Sequence, residues 1–190
     1  MPNTQRALNT PDLLKFNNRK PSGFSLLETL VTLCIAGVIL GVAVPAVGPW
    51  TERQRLRSMQ TALLQMIHRA RYQALTQHQR ITLCPLSQTG NCQQDWNQSI
   101  SSFVDQNSNR KLDPGEQLLS TVDVPASIKL HWRGMSPNNS MHFTPLGFTA
   151  LSNGTMSLCP LMPSVIGATI TVNVQGRAKT QQGYANCPHK

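Results

Sequence analysis

The sequence predicts an α+β protein in which a long, kinked N-terminal helix, its first half membrane-embedded, packs on an antiparallel β-sheet domain. Three observations carry this expectation. Residues 29 to 50 hold no charged side chain. Helical periodicity then resumes and continues to about Thr76, and beyond residue 80 the pattern changes to short β-like runs split by turn residues. Laying the apolar stripe of a helix on one face of a sheet buries both, which is why these signals together specify the architecture. The chain divides accordingly into residues 1–23, 24–50, 51–79 and 80–190.

The 22 residues from Thr29 to Trp50 would form a helix of roughly 30 Å, the thickness of a bilayer core. Glu28 stands at the edge of this run, where a carboxylate costs on the order of 1–3 kcal/mol unless it reaches the interface or finds a partner. Pro45 and Pro49, with Gly41 and Gly48, predict a kink or a locally melted stretch near the far edge, because each proline removes a backbone hydrogen bond. A secretory signal peptide would need an apolar core of about 7 to 15 residues; Gly41 and Ala43 would serve as its small pair, but this core is longer. A plain anchor fits the length and explains neither Gly23 nor Glu28.

The stretch Lys20-Pro21-Ser22-Gly23-Phe24-Ser25-Leu26-Leu27-Glu28 resembles the processing site of type IV pilins and the related pseudopilins. The resemblance implies that a prepilin peptidase removes residues 1–23 by cutting between Gly23 and Phe24, a leader at the long end for the family, and that Phe24 is then N-methylated. It implicates Glu28 in pairing with the N-terminal amine of a neighbouring subunit during filament assembly. An ion pair in a low dielectric matters when both partners are held there together, so a carboxylate unpaired in the membrane would be paired in the filament. In the family a proline at the place of Pro45 accompanies a segment that loosens as the subunit packs.

Residues 51–79 read as an amphipathic helix, with Leu56, Met59, Leu63, Met66, Ile67, Ala70 and Ala74 on one face. That stripe is expected against the sheet, and the arginines at 53, 55, 57, 69 and 71 fall mostly off it, on a solvated face. Strand-like runs follow at Arg80–Cys84, Ser99–Asp105, Gln117–Val124, Ile128–Trp132, Met141–Phe143, Gly147–Leu151, Thr155–Leu158 and Ala168–Val174. Within them FVDQNSNRKLDPGEQLL, FTPLGFT with NGTMSLCP, and ITVNVQGRAK resemble the GspH/FimT branch of pseudopilins and minor pilins.

Basic residues do not orient the chain, since Arg6, Lys15, Arg19 and Lys20 precede the apolar run and Arg53, Arg55, Arg57 and Arg69 follow it. Cysteine usage does better. Cys84, Cys92, Cys159 and Cys187 form an even set beyond the run, and Cys34 lies within it. Four thiols in a small domain suggest two disulfides in an oxidising compartment, although four cysteines allow three pairings. The preferred pairing is Cys84 with Cys92, closing a short loop, and Cys159 with Cys187, tying down the C-terminus. Free thiols or a zinc site compete, but there is no CxxC and no histidine at ligand spacing. The resulting expectation is a single-pass protein of the bacterial inner membrane with a periplasmic C-terminal domain, found in a pilus or pseudopilus after assembly.

Two constellations in the β domain invite chemistry. Asp105, Asn107, Asn109, Asp113 and Glu116 stand at positions 1, 3, 5, 9 and 12 of an EF-hand-like loop. Arg110, however, occupies the position that requires glycine, Lys111 adds charge against a cation, and β-like runs flank the loop. A polar hairpin is the favoured reading, with no metal. Gly176-Arg177-Ala178-Lys179 is different: in an extended segment, residues two apart point the same way, so Arg177 and Lys179 would face one phosphate backbone. In FimT-type minor pilins a GRxR-like stretch is associated with DNA binding in natural transformation. Here lysine replaces the second arginine, which keeps the charge and loses the bidentate fork.

Of the 17 basic and 8 acidic residues, Arg6, Lys15, Arg19, Lys20 and Asp12 precede Phe24, leaving a net charge of +6 beyond it. That balance suits any acidic polymer. No GxSxG, phosphate-cradling glycine loop or HExxH is present and the five histidines are scattered, so neither an enzyme nor a cofactor is expected. The expected role is a minor pilin or pseudopilin subunit of a type IV pilus, with other pilins, the peptidase, the inner membrane and double-stranded DNA as partners. The alternative is a GspH-like pseudopilin of a type II secretion system.

Overall fold

The computed structural model describes residues 23–135, 139–183 and 187, without the side chains of residues 42–46. The expected leader, apart from Gly23, therefore lies outside the described residues. Contacts divide the chain into two compact units, residues 1–43 and 44–190. Helix α1, Leu26–Gln77, contributes to both.

In the first unit the helix begins with a cap. Ser25 Oγ accepts the backbone N–H of Glu28 at 3.2 Å, satisfying one of the amides a helix leaves unpaired at its start. Ser25-Leu26-Leu27-Glu28 has the S-x-x-E pattern of a capping box, of which the serine half is formed by this bond. The helical assignment passes through Pro45 and Pro49 without interruption. The locally melted alternative is thus not adopted: a proline removes a single ladder bond, and the bonds on either side persist. Among the described residues no helix is long and apolar enough to cross a membrane; the expected span from Thr29 to Trp50 includes positions 42–46, whose side chains lie outside that description.

In the second unit the helix buries the stripe that its periodicity marks. Leu56, Met59, Leu63, Met66, Ile67, Ala70 and Ala74 are all buried and belong to one core cluster with the strands. The strands are β1 Ile81–Pro85, β2 Ile100–Val104, β3 Leu118–Val122, β4 Ile128–Gly134, β5 Met141–Phe143, β6 Gly154–Pro160, β7 Ala168–Val172 and β8 Ala178–Gln182. They form two four-stranded antiparallel sheets, ordered β3-β2-β1-β5 and β4-β6-β7-β8, where one sheet was expected. Pro125, lacking an N–H, lies in the crossing from β3 to β4, where it can add no ladder bond.

Two elements differ from the sequence reading. Gly147–Leu151 is not a strand: Thr144 N–H donates to Phe148 O and Gly147 N–H to Thr144 O, both at 2.8 Å, and a short 3₁₀ helix follows at Ala150–Ser152. Pro145 presets this turn and Gly147 supplies its positive φ of 74°. Conversely, the GRAK segment does not follow the last strand but enters one. β8 pairs with β7 along Ala168–Val172. It is an edge strand, exposed over nearly its whole length, so it shows no inward-facing alternation.

Both preferred disulfides are formed, Cys84–Cys92 with Cα atoms 5.5 Å apart and Cys159–Cys187 at 5.6 Å. The EF-hand-like segment joins β2 to β3 and turns its acceptors inward. Asn107 and Asn109 both donate side-chain amides to Asp113 Oδ2, at 2.9 and 2.7 Å, and Glu116 accepts the backbone N–H groups of Gln106 and Asp113. Thr82 Oγ1 donates to Asp105 Oδ2 at 2.7 Å. These amide and hydroxyl donors occupy oxygens that a calcium ion would need.

Candidate functional site

The first unit presents apolar side chains that are exposed among the described residues. Phe24 is 81% exposed and Leu26 84%, and Leu27, Leu30, Leu33, Val38 and Ile39 are exposed as well. A continuous apolar surface of this kind marks a contact with protein or lipid. Glu28 stands in the first turn of the helix, four residues after Phe24, and Cys34 is an exposed free thiol. Thr29 and Thr32 return their hydroxyls to the backbone, at Leu26 O and Thr29 O, both 2.9 Å, so neither leaves a free donor that would resist apolar surroundings.

The β7–β8 hairpin holds the other expected site. Asn173 N–H donates to Arg177 O at 3.1 Å, Gly176 N–H to Asn173 O at 2.9 Å, and Arg177 N–H to Asn173 Oδ1 at 2.8 Å. Gly176 has φ +74°, and a side chain there would strike Gly147 O and crowd Phe143 and Arg71. Glycine is thus required twice over, by the turn and by the close approach of another loop. Arg177 and Lys179 are both exposed. Arg177 also borders a surface cavity of about 380 Å³ with Arg71, Asn173 and Gln175, and Arg71 Nε donates to Gly147 O at 3.1 Å.

Register adds residues that the sequence reading did not select. Arg133 on β4 stands opposite Thr155, Thr155 opposite Thr171, and Thr171 opposite Lys179. This row crosses the outer face of the second sheet, and its ends are about 14 Å apart at the usual inter-strand spacing. The alternation of β4 turns Lys129, His131 and Arg133 outward while Leu130 and Trp132 enter the core. Among the described residues Arg71, Arg133, Arg177 and Lys179 form no ion pair; the carboxylate pairs are Arg55–Glu52, Arg80–Asp105 and Lys111–Asp113. The result is a face of uncompensated cations around threonine hydroxyls, suited to an extended polyanion. The alternation within IKLHWRG is a signal for the outward Lys129 and Arg133; only strand pairing aligns Arg133 with Lys179.

Residues 60–176 match the family model described as type II transport protein GspH. The chain is 34% identical over 99 residues to the pilin-like protein PilA1 of Thermus thermophilus, an alignment covering 52% of this chain and 58% of that protein. It therefore spans little more than half the length of this curated relative. Its fold is similar to that of the type IV minor pilin FimU of Pseudomonas aeruginosa, with a TM-score of 0.50 and 19% identity over 72% of this chain and 98% of that one. It is also similar to the minor pseudopilin EpsH of the type 2 secretion system of Vibrio cholerae, with a TM-score of 0.50 and 9% identity over 67% and 97%. These structures share the helix-on-antiparallel-sheet architecture. With more than half of its length matched by the family model, the chain belongs to the GspH family of type II transport proteins.

Proposed function

We propose that the protein is a minor pilin or pseudopilin, incorporated at low copy or at the tip of a type IV pilus filament and supporting its assembly. The observation that carries this reading is an apolar helix, exposed among the described residues, that follows Gly23-Phe24, bears Glu28 in its first turn and leads into a GspH-family domain. In this reading residues 1–23 are cut away by a prepilin peptidase, Phe24 is methylated, and the apolar helix passes from the inner membrane to the filament core. Glu28 pairs there with the amine of the neighbouring subunit. The test is mass spectrometry of the protein isolated from cells and from sheared filaments, where an N-methylated Phe24 is expected. A mature protein beginning at Val44 would indicate a signal peptide instead.

The β domain carries a second task in this proposal, the capture of double-stranded DNA for natural transformation. Supporting it is the face of Arg133, Arg177 and Lys179, cations without carboxylate partners among the described residues. A role in a type II secretion pseudopilus is the alternative, favoured by the type II transport description of the family model. Deleting the gene separates them: loss of pili and of DNA uptake supports the first reading, and retention of secreted enzymes in the periplasm supports the second.

A further inference from the structure

A cavity of about 220 Å³ lies away from both sites discussed above, bounded by Arg80, Arg110, Met135, Ser140, His142, Ala150, Leu151 and Ser152. Four segments meet there: the residue before β1, the β2–β3 loop, the connection from β4 to β5, and β5 with the 3₁₀ helix behind it. Among the described residues the wall contains two guanidinium groups, an imidazole and two hydroxyl residues, and no carboxylate.

Polar atoms around this cavity are buried without partners. Arg80 Nη2 and His142 Nδ1 are buried and accept or donate no hydrogen bond among the described residues. Arg80 Nε stands 3.4 Å from Asp105 Oδ2, an ion pair that lacks hydrogen-bond geometry. Asp105 offsets one of the two guanidinium charges; Arg110 has no ion pair among the described residues. A buried donor without an acceptor costs about 1–3 kcal/mol, and native proteins leave few of them.

Backbone strain converges on the same place. Arg110 and Ala150 have φ of +60° and +46°, the left-handed region that residues with a side chain enter at a cost. Both line the cavity. Arg110 is held there by its N–H, which donates to Asp105 Oδ2 at 3.3 Å. Beside them Ser152 locks β5: its Oγ donates to His142 O and accepts His142 N–H, both at 2.9 Å. Strained residues that persist around unpaired donors are typical of ligand sites.

We propose that this cavity binds a small oxyanion of the phosphate or sulfate class, with Arg80 and Arg110 as its charged donors and His142 and Ser140 as neutral ones. The volume admits it: a water molecule takes about 30 Å³, so the space holds a group of several heavy atoms. Arginine supplies the planar fork that matches such oxygens. Burial, reinforced by Arg80 and Arg110 and opposed by Asp105, lowers the His142 pKa to about 4, so at neutral pH the imidazole is an uncharged ring with one N–H to donate. The ligand is either the free inorganic anion or a phosphate monoester on a small molecule, and the site is independent of the DNA face.

The test is calorimetric titration of the full-length protein in a nonionic detergent with inorganic phosphate, inorganic sulfate and glycerol phosphate, at constant ionic strength. Saturable binding of one anion per chain is expected. Tighter binding of glycerol phosphate than of inorganic phosphate would assign the monoester as ligand, and the reverse order the free anion. Arg110→Gln, at a partly exposed position, should weaken binding about tenfold or more, as should His142→Gln. Arg177→Ala should leave it unchanged. Absence of saturable binding by the wild-type protein at tens of millimolar anion would overturn the proposal, as would Arg110→Gln binding as tightly as wild type while remaining folded by circular dichroism.

Discussion

The backbone N–H of Glu28 donates to Ser25 Oγ at 3.2 Å, so the carboxylate expected to drive assembly is also the third residue of a capped helix. The bond uses the Glu28 backbone and not its carboxylate, so substitution tests the side chain with the Ser25 cap left in place. Glutamine serves a capping box as glutamate does, whereas it cannot pair as an anion. Glu28→Gln and Glu28→Ala should both reduce incorporation into sheared filaments, by about tenfold if the pair contributes 1.4 kcal/mol, as read by immunoblot. Wild-type incorporation of Glu28→Gln would overturn the ion-pair role.

DNA binding through the hairpin and the outer sheet face should depend on salt and not on sequence, because phosphate contacts carry no sequence information. The full-length protein should bind unrelated duplexes with similar affinity. Replacing Arg177 and Lys179 with alanine should flatten the plot of log affinity against log salt by up to about 2, and adding Arg133→Ala should flatten it by about a further 0.9. Fluorescence anisotropy over a salt series measures this, with Arg55→Ala plus Arg57→Ala as the control. Loss of binding in that control alone would place the contact on the helix.

Gly176→Val should destabilise the second unit by at least about 2 kcal/mol. The new side chain meets Gly147 O, a backbone atom that cannot swing aside, at a φ of +74° that valine resists. Urea denaturation followed by tryptophan fluorescence would report a lower midpoint, since Trp96 and Trp132 pack with ring centroids 5.5 Å apart in the domain.

His142 predicts an acid limb in stability. Its pKa falls from 6.5 to about 4 on folding, through burial first and then Arg80 and Arg110, with Asp105 opposing. Between those values the unfolded chain binds more protons than the folded one, so stability declines as pH drops from about 6.5 towards 4 and is insensitive to this group above pH 7. His142→Gln should flatten that limb. Melting temperatures across pH 4–8 for the two proteins would show it, and an unchanged limb would assign the acid sensitivity to other groups.

The helix could be read from the sequence because its information is local. Leu56 through Ala74 repeat at the helical period, and all seven stripe residues are buried. The β4 alternation is equally local. The 178–182 strand lacks such a signal, since an edge strand open to solvent needs no apolar face and is defined by its pairing with β7. Gly147–Leu151 misleads in the opposite way, because its apolar residues flank a turn dictated by Pro145 and Gly147.

The sequence by itself determined the α+β class, the buried stripe of the helix, the position of Glu28 at the head of an apolar run, and the cations at 177 and 179. Each follows from the periodicity or chemistry of neighbouring residues. Tertiary structure alone decided the division into two sheets, the row that aligns Arg133 with Lys179, and the cavity that gathers Arg80, Arg110 and His142. Those arrangements depend on strand register and on loops meeting across tens of residues. They are fixed by how the core closes and not by any local pattern.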